Sequence, residues 1–377
     1  MQRQACKKNI FSIGAAALLA VALFAMLMSC GDASKPVETT VSETVVITTT
    51  DAPDEITTLP EETVAETTAA VSAETSETVI PLSESDLADY PKDSPEYELY
   101  RLFSQDIPSV AETAAETSVD EEGNVTETVT AYTRDGNAAL YYKDIASGKT
   151  VVINGDGIFS SASMIKAVYC YTLLAAADAG EIDLDFETVY DTSMYVEGTG
   201  KFKNIESGSV FTVRELVSYV MRYSDNTAYS MLRKLFGTKY FAPAMEAAGI
   251  SAVKYNKWWN STAVQYGEFF TALALYFESD SENAAWLKEE MINSVYRAIL
   301  PNALAPDIAA HKYGWDNDSY CDGGVLFGEG GTYVVVFMSD LDGGSDYRAN
   351  TKFIYAAGDA ILEMRSRDNA AASEAAQ

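Results

Sequence analysis

The sequence predicts an α+β fold in which an antiparallel sheet flanked by helices adjoins an all-helical lobe. Three observations lead there. Strand-like segments gather at both ends of the region from Val129 to Met338, with helical patterns between them. The segment after Ser161 is apolar on nearly all sides until Gly180, the mark of a helix buried at the centre of its domain. The chain closes with an amphipathic stretch, Asn350 to Arg365, that carries Phe353, Ile354, Ala357, Ile361 and Met364 on one side and is fit to back a sheet.

In chain order, residues 1–29 predict a lipoprotein signal peptide. Arg3, Lys7 and Lys8 form a basic start, Ile10 to Met28 is an apolar run, and Leu27-Met28-Ser29-Cys30 sets a small residue before a cysteine. That ending resembles a bacterial lipobox, which implies cleavage before Cys30, lipidation of its sulfur and an extracytoplasmic chain anchored to the cell membrane. The alternative is an uncleaved N-terminal anchor, since the run approaches spanning length. Both readings export the rest of the chain.

Residues 30–93 are mostly Thr, Glu, Ser, Val and Pro without an apolar period, and they predict a disordered tether spanning about 40 Å or more. Of the 56 acidic residues, 24 fall between 31 and 127 alongside only 3 of the 26 bases, so most of the net charge of −30 belongs to this part of the chain. No basic stripe is present to neutralise phosphates, which excludes nucleic acid as a partner.

The folded domain is expected over 94–367, with a disordered tail at 368–377. A short amphipathic pattern from Asp93 to Phe103 precedes a second Thr/Glu-rich stretch, Val110 to Thr128. Strands follow at Val129 to Thr133, Ala138 to Asp144 and Thr150 to Ile153, divided by the turns Asp135-Gly136-Asn137 and Ser147-Gly148. Ser161 is the expected N-cap of the buried helix. Helices at Val213 to Met221 and Ala228 to Phe236 flank Ser224, and strands at Tyr320 to Phe327 and Thr332 to Met338 meet at Gly328-Glu329-Gly330-Gly331. Of four cysteines, Cys6 leaves with the signal and Cys30 is the lipid site. Cys170 and Cys321 read as buried free thiols, or alternatively as one bridge.

Three short motifs carry the chemistry: Ser163-Met164-Ile165-Lys166, Ser224-Asp225-Asn226 and Lys312-Tyr313-Gly314. The one histidine, His311, rules out a histidine-rich zinc site, and no G-x-S-x-G elbow is present. No metal or cofactor is expected. Ser163 and Lys166 stand three apart, so a helix puts both side chains on one face. A lysine in apolar surroundings loses its proton more readily and can then accept the serine proton. The first-turn position of the serine offers unpaired N–H groups to an oxyanion.

These motifs, with Phe159 to Lys166, Thr212 to Leu216, Tyr223 to Ala228 and Ala310 to Trp315 around them, resemble the class A β-lactamase and penicillin-binding serine hydrolase family over about Ala138 to Arg365. The resemblance implies a serine β-lactamase or DD-peptidase-like fold with the motifs meeting in a cleft. It implies Ser163 as the acylated nucleophile, Lys166 as its base or relay, and Ser224 as the proton donor to the leaving nitrogen. It further implies Asn226 on the substrate amide, Lys312 on an edge strand supplying positive charge for a substrate carboxylate and tuning Ser224, and an oxyanion hole from Ser163 and Trp315 N–H beside Gly314. Asp225 reads as structural, His311 as packed away from the cleft, and Tyr195 as a wall of the cleft or a surface residue.

Two positions depart from the family pattern. The stretch Gly249 to Ala263 has no acid where a β-lactamase places the glutamate that activates the deacylating water, while Glu246 and Glu268 read as solvated. Tyr313 stands where a threonine or serine is usual and is expected to narrow the cleft. The expectation is therefore a monomeric, membrane-anchored serine hydrolase that acylates on β-lactam or related amides and deacylates slowly. A D,D-peptidase-like hydrolase of cell-wall peptides and a non-catalytic surface binding domain of the same fold remain open alternatives.

Overall fold

The computed structural model describes residues 40–44, 90–119, 125–249, 260–297, 299–316, 319–341 and 347–375. The chain divides into two compact units, one of Met1–Thr78 with Val110–Arg134 and the other of Val79–Ser109 with Asp135–Gln377. The first holds a three-stranded sheet of β1 (Thr40–Thr44), β2 (Ser109–Val119) and β3 (Val125–Asp135), with β3 in the middle. This corrects two expectations. The tether at 30–93 contains a strand, with Thr40 opposite Thr130, and the Thr/Glu-rich stretch after Val110 is paired β structure in the first unit. Thr and Val favour extended backbone, and a Thr/Glu-rich composition leaves their main chains free to pair.

The second unit opens with α1 (Pro95–Gln105), where Ser94 Oγ accepts from Tyr97 N at 3.2 Å. Strands β4 (Ala138–Asp144), β5 (Thr150–Ile153) and the short β6 (Phe159–Ser160) lead to helix α2 (Ile165–Asp178). A ribbon of β7 (Glu187–Val189) and β8 (Val210–Thr212) precedes α3 (Val213–Tyr223), α4 (Asn226–Phe236) and α5 (Phe241–Ala247). Strand β9 (Asn260–Ser261) pairs with β6, and α6 (Ala263–Phe277), α7 (Glu282–Ile292) and α8 (Leu300–Ala303) come next. The chain ends with β10 (Ile308–Asp316), β11 (Ser319–Gly328), β12 (Gly331–Ser339) and α9 (Tyr347–Ala375).

Strand signals from both ends of the domain meet in one antiparallel sheet of order β10-β11-β12-β4-β5, which leaves β10 as an edge. Helix α6 crosses one face, and α1 with α9 covers the other, where Phe103 packs its ring 6.0 Å from Phe337 and 5.0 Å from Phe353. Coverage on both faces explains why Tyr333 to Met338 is a continuous apolar run rather than an alternating one. Helix α2 is buried along nearly its whole length, as its all-round apolar sequence requires, against α3, α5 and α7. The predicted tail at 368–377 is instead helical to Ala375, because Ala370, Ala371, Ala372 and Ala375 are strong helix formers that extend α9 past its packed part.

A buried ion cluster ties the two helices of the outer layer together. Glu96 on α1 is fully buried and accepts from Lys149 Nζ at 2.7 Å and from Arg367 Nη1 at 2.8 Å. Burial alone would raise its pKa, but the hydrogen bonds from Arg367 and Lys149 outweigh it and hold the carboxyl at about 2. Glu96→Gln is expected to lower the unfolding free energy by about 2 kcal/mol at neutral pH, measured in urea. The folded pKa lies below the unfolded one, so this contribution is full above about pH 4.5 and is lost as pH falls toward 2. The wild type and the variant should converge in acid.

Candidate active site

Ser163 sits in a 3-10 turn, Ala162–Met164, that runs directly into α2. The expected N-cap at Ser161 does not form. The Ser161 side chain makes no capping bond, and its carbonyl accepts from Met164 N at 2.8 Å. Ala162 takes φ 42, a conformation costly for a residue with a Cβ, so the turn holds strain immediately before Ser163. The surrounding packing must impose it. Gly314 on edge strand β10 is part of that packing, since a Cβ there would collide with Ser161 O and lie 2.9 Å from Met164 N. The Cys321 sulfur completes the support from β11, 3.2 Å from Ser161 O. Gly314→Ala is expected to push the strand off the turn and lower the unfolding free energy by about 2 kcal/mol, measured in urea.

The second motif is the joint between two helices. Ser224 closes α3 in the left-handed region at φ 50, and Asp225 is the N-cap of α4, its Oδ1 accepting from Ala228 N at 2.9 Å. Asp225 Oδ2 accepts from Lys201 N at 2.5 Å and Phe202 N at 3.2 Å, which fits the structural role read from the sequence. The Gly198-Thr199-Gly200 loop lies against this joint: Thr199 Oγ1 donates to Ser224 O at 2.9 Å, and Asn226 donates through Nδ2 to Glu197 O at 2.9 Å. Both glycines have positive φ, and a Cβ on Gly200 would strike the Asp225 carboxylate. The role of Thr199 was not foreseen from the sequence, although its two flanking glycines signalled a close backbone approach.

Two buried lysines converge on Ser224. Lys166, only 3 % exposed, donates to Ser224 O at 2.7 Å and Asn226 Oδ1 at 2.7 Å, with Ser224 Oγ at 3.5 Å. Desolvation pushes its pKa down to about 8, against opposing pulls from Asp225 and Cys170. Ser163 is half-buried one turn before it on the same side of the cleft and is not among its hydrogen-bond partners. Lys312 donates to Ser224 Oγ at 2.9 Å and to Tyr313 O at 2.8 Å, and its Nζ lies 4.2 Å from the Tyr313 ring centroid. Burial first, then the charge of Lys166, drives the Lys312 pKa well below the ordinary lysine value.

Lys312 thus lies where it can tune Ser224, the second part of its expected role, with its side chain fully buried against that hydroxyl. Asn226 is oriented by two bonds, its Oδ1 accepting from Lys166 Nζ and its Nδ2 donating to Glu197 O. Tyr313 is buried to 6 % exposure with its ring tilted against that of Tyr296, 5.1 Å between centroids, and burial raises its pKa to about 12. No sequence pattern marked Tyr296 as its partner. Trp315 is 55 % exposed at the end of β10, and Tyr195, 39 % exposed, precedes Val196, whose N–H donates to Thr227 Oγ1 at 2.9 Å.

His311 is packed away as expected, its Nδ1 2.9 Å from Asp322, whose Oδ2 also accepts from Leu300 N at 3.0 Å. Cys170 and Cys321 are buried free thiols. The acid-free stretch Gly249 to Ala263 falls largely outside the described residues, while Glu246 and Glu268 are exposed and Glu268 Oε1 accepts from Tyr141 OH at 3.1 Å. Cys30 and the expected signal peptide also lie outside the described residues.

The model of the beta-lactamase enzyme family matches residues 124–364, which include all three motifs. The chain belongs to this family. A beta-lactamase of Amycolatopsis lactamdurans is 30 % identical over 153 residues, 40 % of this chain and 48 % of that protein. The chain spans about half the length, or less, of the curated relatives it matches. The solved structure of PBP-A superposes with a TM-score of 0.58 at 17 % identity, covering 73 % of this chain and 96 % of that one. A PBP-A point mutant solved as an acyl-enzyme complex with penicillin G gives 0.54 at 19 % identity, covering 62 % and 90 %. These neighbours establish the fold, the antiparallel sheet with its helical lobe that the family shares.

Proposed function

We propose that this family member is an extracytoplasmic, lipid-anchored serine hydrolase that opens amide or ester bonds through an acyl group on Ser163 and releases that group slowly. The observation that carries the reading is Lys166: a buried amine with its pKa pushed down to about 8, bonded to Ser224 and Asn226 and one helical turn from the serine. Its neutral form takes the Ser163 proton as the oxygen attacks the substrate carbonyl. The tetrahedral oxygen is met by Ser163 and Trp315 N–H, and Ser224, held by both lysines, passes the proton to the leaving group. Apo contacts of this kind tighten on substrate binding, so Lys166 need not touch Ser163 beforehand.

Slow release follows from the acid-free stretch Gly249 to Ala263, since an acyl-serine with no base beside it waits for unassisted water. The family membership and the acyl-enzyme seen with penicillin G in a neighbour of the same fold support β-lactams as reactive substrates. The Leu27-Met28-Ser29-Cys30 ending supports the lipid anchor. Among the described residues no helix is long and apolar enough to cross a membrane. Cys30→Ser is expected to abolish incorporation of labelled palmitate and move the protein from the membrane to the soluble fraction. A second reading, hydrolysis of cell-wall peptides, is favoured by the long acidic stretch between Cys30 and the catalytic unit.

The test of the hydrolase reading pairs intact mass with turnover. Incubation with a penicillin and with a chromogenic cephalosporin should give a one-to-one adduct without appreciable steady-state hydrolysis. Rapid turnover would remove the slow-release part, and the absence of any adduct would favour a binding domain.

A further inference from the structure

Ser224 O accepts two hydrogen bonds, from Lys166 Nζ at 2.7 Å and from Thr199 Oγ1 at 2.9 Å. Thr199 is delivered there by a loop that follows the joint between α3 and α4 closely. Val196 N donates to Thr227 Oγ1 at 2.9 Å, Asn226 N to Thr199 O at 3.0 Å, and Phe202 N to Asp225 Oδ2 at 3.2 Å. Gly198 and Gly200, at φ 117 and 133, leave room for this approach, since a Cβ on Gly198 would stand 2.5 Å from Asn226 Nδ2. The hydroxyl and the lysine therefore compete for one oxygen. A carbonyl has lone pairs for two donors, but both draw on the same electron density, and the hydroxyl aims the positive end of its dipole at the oxygen that steadies the ammonium.

We infer that Thr199 is a positioning residue that acts through Lys166: by sharing Ser224 O it withholds part of the hydrogen bonding that favours the ammonium, and so keeps more of the amine in the form that accepts the Ser163 proton. This rests on Lys166 as the base of the acylation proposed above. Burial works in the same direction, holding the Lys166 pKa at about 8. Hydrogen bonding to the charged form works against it, and Thr199 limits that opposition. The other groups facing Lys166 are Asp225 from the joint, Cys170 on its own helix, the Tyr229 ring from α4 at 5.6 Å and Lys312 from β10. Substitutions at Thr199 leave all four in place.

The test follows acylation by a penicillin, read by intact mass across the pH range, on the wild type, Thr199→Val and Thr199→Ser. Valine keeps the shape and removes the donor, whereas serine keeps the donor. In Thr199→Val the midpoint of the rise with pH is expected to move up by about half a unit, so that the rate below the midpoint falls about threefold while the high-pH plateau stays within about twofold. Thr199→Ser should keep the wild-type midpoint. A folded Thr199→Val whose midpoint is unchanged or lower overturns the inference, whatever its loss of stability, and leaves acylation standing. A shift in Thr199→Ser as large as that in Thr199→Val also overturns it. If the wild type is not labelled, or its rate does not rise with pH, the reading of Lys166 as base falls and takes this one with it. Should Thr199→Val fail to fold, Thr199→Ala is held to the same expectation; if neither folds, Thr199 is scaffold and the inference is overturned.

Discussion

Ser163→Ala is expected to abolish the proposed acylation, with a loss on the order of 10⁴-fold or more in the rate of adduct formation. The neighbouring hydroxyls are not placed to substitute: Ser224 is fully buried and receives hydrogen bonds from both lysines, and Ser161 is fully buried beneath the turn. Ser163 itself is half-buried and N-terminal to α2, so the variant should keep its stability within about 0.5 kcal/mol of the wild type. That combination, a silent active site in an intact fold, separates a lost nucleophile from a damaged domain. Residual labelling of the variant at the wild-type rate would place the reactive group elsewhere.

Lys166→Ala is expected to slow acylation by about 10³-fold, the range of a lost general base. It also strips Ser224 O and Asn226 Oδ1 of their shared donor, so stability should fall by about 1–3 kcal/mol. The pH profile isolates the chemistry from this structural loss. In the wild type desolvation holds the Lys166 pKa at about 8, and the neutral amine is the form that accepts a proton. The acylation rate should therefore rise with pH and level off above about 8, with no dependence of that kind left in Lys166→Ala. A flat wild-type profile between pH 6 and 9 would remove Lys166 from the role.

The sheet and the central helix were legible in the sequence because each obeys one local rule. Tyr333 to Met338 is apolar without interruption and the segment after Ser161 nearly so, and both are largely buried. The motif residues were legible as types, and the structure brings Lys166, Ser224, Asn226 and Lys312 to one point. What the sequence could not convey was direction. Lys312 reads as a cation on an edge strand, and only the structure shows its side chain fully buried against Ser224 Oγ, with the Tyr313 ring 4.2 Å from its Nζ. The strain at Ala162 was equally hidden, since it is imposed by Gly314 from a strand about 150 residues away. The strands at 40–44 and 109–119, and the first residues of the one at 125–135, were missed because Thr/Glu composition marks a segment unable to build a core, not one unable to pair.

Slow release is tested most directly by tracking the acyl group after it is attached. The protein is labelled with a penicillin, freed of excess reagent, and digested at intervals so that the peptide holding Ser163 can be weighed. Acyl mass on Ser163 is predicted to persist for hours, because no acid stands in Gly249 to Ala263 to activate water. Loss of the label within seconds, or label on any other residue, would contradict slow release from an acyl-serine at this position.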